Sequence, residues 1–139
     1  MTYMLMSTNC ASKRLRISKK LLLCGSCVKE EHPEIFSQFT TGRIALLVCM
    51  EETHMNMVGL KLFDMFDMVK PEEVVVLTPD GSPHCVQLHY VVEDVKKRLR
   101  LDGLRVEHYV VDRGKIYKVS AESVKVSRYL RKIEKLLRK

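Results

Sequence analysis

Apolar residues recur along the chain in short blocks separated by longer amphipathic stretches. Three blocks, at 21–24, 44–49 and 74–77, are apolar throughout. This pattern is typical of strands in a parallel sheet that helices cover on both faces. A fourth strand is predicted at 106–111. The loop-forming residues that follow these strands indicate that each ends where a connection begins.

The segments between the strands carry apolar residues at helical spacing. A helix is predicted from about residue 53 to 69, ending before Pro71. Further helices are predicted within 28–39, with Pro33 at the first helical position, and within 88–99. The last helix begins near Ala121, and its apolar face consists of Val126, Leu130, Ile133 and Leu137.

Strands that alternate with helices predict a doubly wound sheet. The turn at 112–114 precedes an apolar segment at 116–119, which indicates an antiparallel hairpin at the sheet edge. We therefore predict a three-layer α/β sandwich, flavodoxin- or Rossmann-like, with a short, mostly parallel sheet and a C-terminal edge hairpin. The first dozen residues show no periodicity, and residues 1–18 are expected to form a flexible basic tail before a single domain at 19–139.

Composition and charge narrow the classes of protein. The chain has 139 residues, of which 46% are hydrophobic and 29% are charged, so one folded domain is expected. No apolar run is long enough to cross a bilayer, and we expect a cytoplasmic protein without membrane insertion. The net charge of +7 is concentrated at the two ends. A basic helix face could bind nucleic acid, but a solvated face or a docking surface for an acidic redox partner is favoured; its residues are Lys125, Arg128, Lys132, Lys135 and Arg138.

Four of the five cysteines fall at the ends of predicted strands. Cys24 ends the first strand and Cys27 follows it, Cys49 ends the second strand, and Cys85 lies in the loop after the third. Because parallel strands place their carboxyl ends at one edge of the sheet, these thiols are expected to lie together. Cys10 lies outside this set.

Four thiolates can hold a [2Fe–2S] or [4Fe–4S] cluster or a tetrahedral zinc ion. Acidic residues in or near the loops disfavour a free thiolate and hence an activated cysteine nucleophile. A metal centre tolerates them, because the cation itself keeps the thiolates deprotonated. These residues are Glu30, Glu31, Glu51, Glu52 and Asp80.

The cysteine arrangement resembles that of the iron–sulfur delta subunit of methyl-viologen-reducing hydrogenases of methanogenic archaea. The matching segments are Leu23-Cys24-Gly25-Ser26-Cys27, Val48-Cys49 and Asp80-Gly81-Ser82-Pro83-His84-Cys85. The resemblance implies a [2Fe–2S]-type electron carrier that works with a redox partner or within a larger oxidoreductase complex. This chain has Thr78 and Pro79 where that family has a further cysteine.

The sequence thus predicts an iron–sulfur electron-transfer protein, an accessory subunit more than a stand-alone enzyme, with Cys24, Cys27, Cys49 and Cys85 as cluster ligands. A structural zinc site in an interaction module and a thioredoxin-like dithiol oxidoreductase using Cys24 and Cys27 remain alternatives. His54 and His84 could replace a thiolate, although loop or capping roles are favoured. His32 and His89 are weaker candidates, and His108, on a strand, is expected to be packed or solvated. The glycine fingerprint of nucleotide-binding loops is absent from the sequence.

Overall fold

The computed structural model describes residues 1–138, which form one six-stranded sheet flanked by helices. The strands are β1 (Thr2–Met4), β2 (Lys20–Gly25), β3 (Ile44–Val48), β4 (Glu73–Pro79), β5 (Arg105–Asp112) and β6 (Lys115–Val119). The helices are α1 (Lys13–Ser18), α2 (Ser26–Glu31), α3 (Pro33–Thr40), α4 (Met55–Val69), α5 (Pro83–Arg98), α6 (Ala121–Val126) and α7 (Leu130–Leu137).

The sheet has the strand order β1-β3-β2-β4-β5-β6, and only the β5–β6 pair is antiparallel. Without β1, this is the order 2-1-3-4-5 of flavodoxin-like folds. The turn between β5 and β6 contains Arg113 and Gly114, both with positive φ, as tight hairpin turns require. The predicted sandwich and its edge hairpin are confirmed.

Alternate residues of the central strands point to opposite faces of the sheet. In β2, Leu21 and Leu23 pack in the core formed with α4 and α5, whereas Leu22 and Cys24 pack in the core formed with α2 and α3. Both faces are buried because consecutive side chains of a strand alternate in direction and helices cover each side.

Two predicted helices are each divided in the structure. The segment 28–39 forms the end of α2 and most of α3, with a break at His32, whose φ of −135° suits the position before a proline. The C-terminal helix breaks between α6 and α7, where the Ser127 hydroxyl donates to the Val124 carbonyl at 2.6 Å. The predicted basic face is therefore split between two short helices, and Arg128 pairs with Asp94 of α5 at 3.0 Å.

The N-terminal segment differs from the prediction of a flexible tail over residues 1–18. β1 pairs in parallel with β3, and α1 follows it. Leu5 and Leu15 are 0% and 1% exposed in the core beside α4. A three-residue strand is too short to show periodicity, so only the pairing with β3 reveals that this segment belongs to the domain. The other predicted boundary, Lys139, lies outside the described residues.

Replacing Leu5 with alanine tests whether this segment contributes to the core. We expect the free energy of unfolding to fall by about 2–5 kcal/mol, because the change leaves a cavity in a packed interior. Met4→Ala is the matched control, since Met4 is 52% exposed and its loss should change stability by less than about 0.5 kcal/mol. Urea denaturation measures the free energy of unfolding of both variants. Equal, small effects would contradict a structural role for residues 1–18.

Within residues 1–138, no helix combines the length and the apolar character needed to cross a bilayer.

Candidate functional site

The crevice at the carboxyl ends of β2 and β4 is the topological switch point of the sheet. After β2 the chain turns to the face covered by α2 and α3, and after β4 it turns to the face covered by α5. The two neighbouring strands therefore send their loops to opposite sides and leave an opening between them. Ligands of open α/β sheets bind at such points.

Three cysteines line one pocket of about 170 Å³ at this switch point. Cys27 is the second residue of α2, Cys49 directly follows β3, and Cys85 is the third residue of α5. All three are partly buried and are free thiols. The structure thus brings together, from three successive strand-to-helix connections, three of the four cysteines that the sequence placed at this edge.

Local geometry positions two of these thiols. Ser82 caps α5, and its hydroxyl accepts from the backbone N–H groups of His84 and Cys85 at 3.3 and 3.4 Å. Pro83 fits the first helical position, where no N–H is needed. Gly25 is the residue before α2, and it lies close to Pro79, since a Cβ at Gly25 would be 3.4 Å from the proline ring. These caps hold Cys85 and Cys27 at the pocket wall.

Cys24 lies apart from the pocket. It is a residue of β2 rather than of the following loop, it is 0% exposed, and it packs with Val28 and Phe36 in the core beneath α2 and α3. Its thiol donates to the Gly25 carbonyl at 3.4 Å. Strand alternation accounts for this position, because Cys24 shares its direction with Leu22.

The surroundings of Cys24, Cys27 and Cys85 favour the protonated form of these thiols. Burial raises the pKa of Cys27 and Cys85, and neighbouring thiols together with the carboxylates of Glu31 and Glu51 raise them further. Hydrogen bonding with Ser82 partly opposes this at Cys85. Burial also raises the pKa of Cys24 to about 12. None of these shifts produces the reactive thiolate that cysteine nucleophiles require.

The fit of the pocket to a metal depends on the spacing of its sulfurs. Among the described residues, no group of three or more His, Cys, Asp or Glu side chains is arranged to hold one metal ion. A tetrahedral zinc site needs sulfurs about 3.8 Å apart, given Zn–S bonds of about 2.3 Å. A [4Fe–4S] cluster accepts wider spacing, because each of its thiolates binds a different iron. The pocket volume of 170 Å³ far exceeds the roughly 10–15 Å³ that one water molecule needs.

The two histidines nearest the cysteines have different surroundings. His54 caps α4, and its Nδ1 accepts from the Asn56 N–H at 3.5 Å, which confirms the favoured capping role. His84 is exposed at the pocket rim, with Nδ1 3.8 Å from a carboxylate oxygen of Glu51.

A buried polar network lies next to the thiol pocket, and sequence reasoning missed it. Thr78 Oγ1 lies 2.8 Å from His89 Nε2, His89 Nδ1 lies 2.9 Å from His108 Nδ1, and His108 Nε2 lies 2.6 Å from a carboxylate oxygen of Glu93. Thr78, His89 and His108 are 1%, 4% and 1% exposed. The signal in the sequence was weak. His89 borders the apolar stripe of its helix, and His108 shares one face of its strand with Val106 and Val110.

Comparisons with known proteins bear on the fold and not on the chemistry. Searches among curated proteins and among solved structures find no match. The family model described as a Rossmann-like domain matches residues 14–138, which is most of the chain and includes the whole thiol pocket. The parallel sheet and its switch point agree with this match, and the chain belongs to the Rossmann-like domain family.

Proposed function

We propose that this protein transfers electrons through an iron–sulfur cluster held by Cys27, Cys49 and Cys85. The observation that carries the proposal is that these thiols come from three separate connections and line one pocket at the switch point. When bound, the cluster would supply one-electron redox chemistry, which no side chain of this pocket provides by itself. The described residues would bind it and exclude water from it.

The raised pKa values of Cys27 and Cys85 argue against nucleophilic thiol chemistry at this pocket. Raised pKa values leave Cys27 and Cys85 unreactive at neutral pH. A bound metal displaces these protons, because coordination stabilises the thiolate far more than water does. The acidic residues Glu31 and Glu51 near the pocket would disfavour added negative charge and so favour the oxidised state of a cluster.

Nucleotide binding, which many doubly wound folds perform, is poorly supported at this edge. The loop after β2 reads Gly25-Ser26-Cys27-Val28-Lys29-Glu30. Dinucleotide-binding loops need glycine at the third position for close approach of the pyrophosphate and at the sixth for helix packing. Here Cys27 and Glu30 occupy those positions, so a thiol side chain stands where the backbone would have to approach the pyrophosphate.

Two other thiol chemistries are less well supported than a cluster. A thioredoxin-like dithiol would pair Cys24 with Cys27, but Cys24 is enclosed in the core and has its pKa raised to about 12. A structural zinc site requires four ligands around one ion, and within residues 1–138 no group of three or more candidate ligands is arranged in that way.

An electron carrier also needs a donor and an acceptor. We therefore propose a redox protein or a larger oxidoreductase complex as the partner, in line with the family that the cysteine arrangement resembles. The rim of the pocket is accessible to such a partner, because His84 and Glu51 are 51% and 69% exposed there.

Anaerobic purification followed by iron, acid-labile sulfide and zinc analysis tests the proposal. We expect iron and sulfide in equal amounts and a visible charge-transfer absorption that bleaches on reduction with dithionite. Cys10→Ser is the control for adventitious binding and should leave both unchanged, because Cys10 contacts the Lys61 carbonyl and neither residue lines the pocket. Stoichiometric zinc without sulfide, or no metal after anaerobic reconstitution, would overturn the proposal.

A further inference from the structure

An open groove of about 330 Å³ runs between α4 and α5. Leu60 and Phe63 of α4 line it as exposed side chains, and Leu60 is 64% exposed. Val91 and Val95 of α5 line its buried side. Large exposed apolar side chains that share one groove indicate a surface that another protein segment covers. The α4–α5 groove is therefore a docking surface in search of its occupant.

Helix α7 carries an apolar stripe that is uncovered in the single chain. Leu130 and Leu137 are 82% and 74% exposed, and no residue of Leu130–Leu137 is buried. Together with Ile133 and Leu136 they occupy a sector of about 120° around the helix. Helices this short are marginal in water, and they gain their stability by packing such a stripe against a partner.

The groove and α7 agree in length. The groove extends along α4 from Met55 to Phe63, which corresponds to about 12 Å of helix. The eight residues of α7 also span about 12 Å. An amphipathic helix that lies in a groove places its apolar stripe on the groove floor and its flanking residues at the two rims.

The charges of the two surfaces also agree. Asp64 and Asp67 are exposed at the α4 rim, and Arg98 is exposed at the α5 rim. On α7, Lys132 flanks the apolar stripe on one side and Glu134 flanks it on the other. With α7 in the groove, Lys132 would face the acidic rim and Glu134 would face Arg98. Such complementarity fixes the register of an interface.

The connection between α6 and α7 keeps α7 off the groove of its own chain. Only residues 127–129 separate the two helices. Arg128 binds Asp94, a residue of the groove wall, at 3.0 Å, and its guanidinium lies 5.2 Å from the ring centre of Tyr90. Helix α7 thus begins at the rim of the groove and leaves it with its apolar stripe exposed. A second copy that approaches this rim can receive α7 and offer its own.

We propose that this face is a homodimer interface, in which each copy inserts α7 into the α4–α5 groove of the other. Exchange about a two-fold axis uses the same two surfaces on both copies and closes the assembly. It also forms the helix-in-groove contact twice, which matters because specific interfaces bury at least about 1,200 Å² in total. The interface is separate from the thiol pocket, since the two share no lining residue.

Sedimentation velocity of the full chain, kept reduced so that no disulfide joins two copies, tests the interface over a concentration series. We expect dimers that dissociate in the micromolar range. Leu60→Glu in the groove and Leu137→Glu on α7 should each raise the dissociation constant at least about tenfold, as loss of a buried anchor does. Both residues are exposed in the single chain, so folding should be retained, which circular dichroism checks. Ile17→Glu is the matched control and should keep the dimer, since Ile17 is an exposed apolar residue outside the groove.

Charge reversal tests whether the groove and α7 contact each other. Asp67→Lys and Lys132→Glu should each weaken the dimer. An equimolar mixture of these two variants should restore it, because the helix of each copy then meets the opposite charge in the groove of the other. A merely structural effect of either substitution would not be rescued by mixing.

Three results would overturn the proposal. A chain that stays monomeric at all concentrations, with nuclear Overhauser contacts between α7 and its own groove, would assign the helix to that groove. A monomer that sediments with vesicles of anionic lipid would assign α7 to a membrane surface. Dimers unaffected by Leu60→Glu and Leu137→Glu would place the interface elsewhere on the molecule.

Discussion

Serine replacements of Cys27, Cys49 and Cys85 are expected to lose cluster binding, each by itself. These three thiols line the pocket at the switch point, so each would supply one ligand. Changes in residues that only hydrogen-bond to a ligand already reduce metal affinity about 10–100-fold, so loss of a ligand should reduce it at least as much. The measurement is iron and sulfide per chain after anaerobic reconstitution, together with the visible spectrum.

Cys24→Ala is the informative comparison in this series. The sequence predicted Cys24 as a fourth ligand, whereas the structure encloses it among Leu22, Val28 and Phe36. We expect Cys24→Ala to keep at least about half of the iron of the unchanged protein and to lose about 1 kcal/mol of stability, from a small cavity. Complete loss of iron in this variant, with folding intact, would show that the core thiol turns into the pocket and that four cysteines bind.

Acidification is expected to destabilise the fold well above the pH at which carboxylates titrate. Burial, assisted by His108, lowers the pKa of His89 from 6.5 to about 3. In the unfolded chain His89 is protonated below about pH 6.5, whereas in the folded chain it stays neutral down to about pH 3. The contribution of neutral His89 is therefore complete above pH 6.5 and is lost as the pH falls, by about 2 kcal/mol between pH 7.5 and 5.

Urea denaturation at pH 7.5, 6 and 5 measures how the free energy of unfolding depends on pH. His89→Gln should be less stable at pH 7.5, but its stability should depend less on pH, because position 89 then carries no group that titrates. His84→Gln is the control, since His84 is exposed, and it should keep the original slope. An unchanged dependence of stability on pH in His89→Gln would contradict the assignment of the effect to His89.

The ion pair of Glu73 with Arg43 acts at lower pH than His89. Burial raises the pKa of Glu73, but Arg43 and Arg105 outweigh it and lower that pKa below 4.5.

The elements that the sequence predicted correctly are those with a strong periodic signal. β2, β3 and β4 are apolar on both faces, and α4 repeats its apolar residues at helical spacing through Val69. The location of Cys27, Cys49 and Cys85 at one edge also followed from sequence, because parallel strands necessarily end on the same side. Whether the site binds iron stays a prediction.

The features that sequence reasoning missed depend on partners distant in the chain. β1 is recognisable only through its pairing with β3, and Leu5 only through its burial. His89 and His108 are separated by 19 residues, and neither is distinctive without the other. The break between α6 and α7 results from local hydrogen bonding by Ser127, which a periodic apolar pattern does not reveal.

By itself, the sequence determined the layered α/β architecture and the edge at which the cysteines gather, because both follow from local periodicity and the direction of the strands. Only the tertiary structure decided which thiols share a pocket and which polar groups meet inside the core. The reason is geometric: strand alternation sends Cys24 into the core whereas Cys27, in α2, lines the pocket, and packing of α5 on β4 and β5 joins Thr78, His89 and His108.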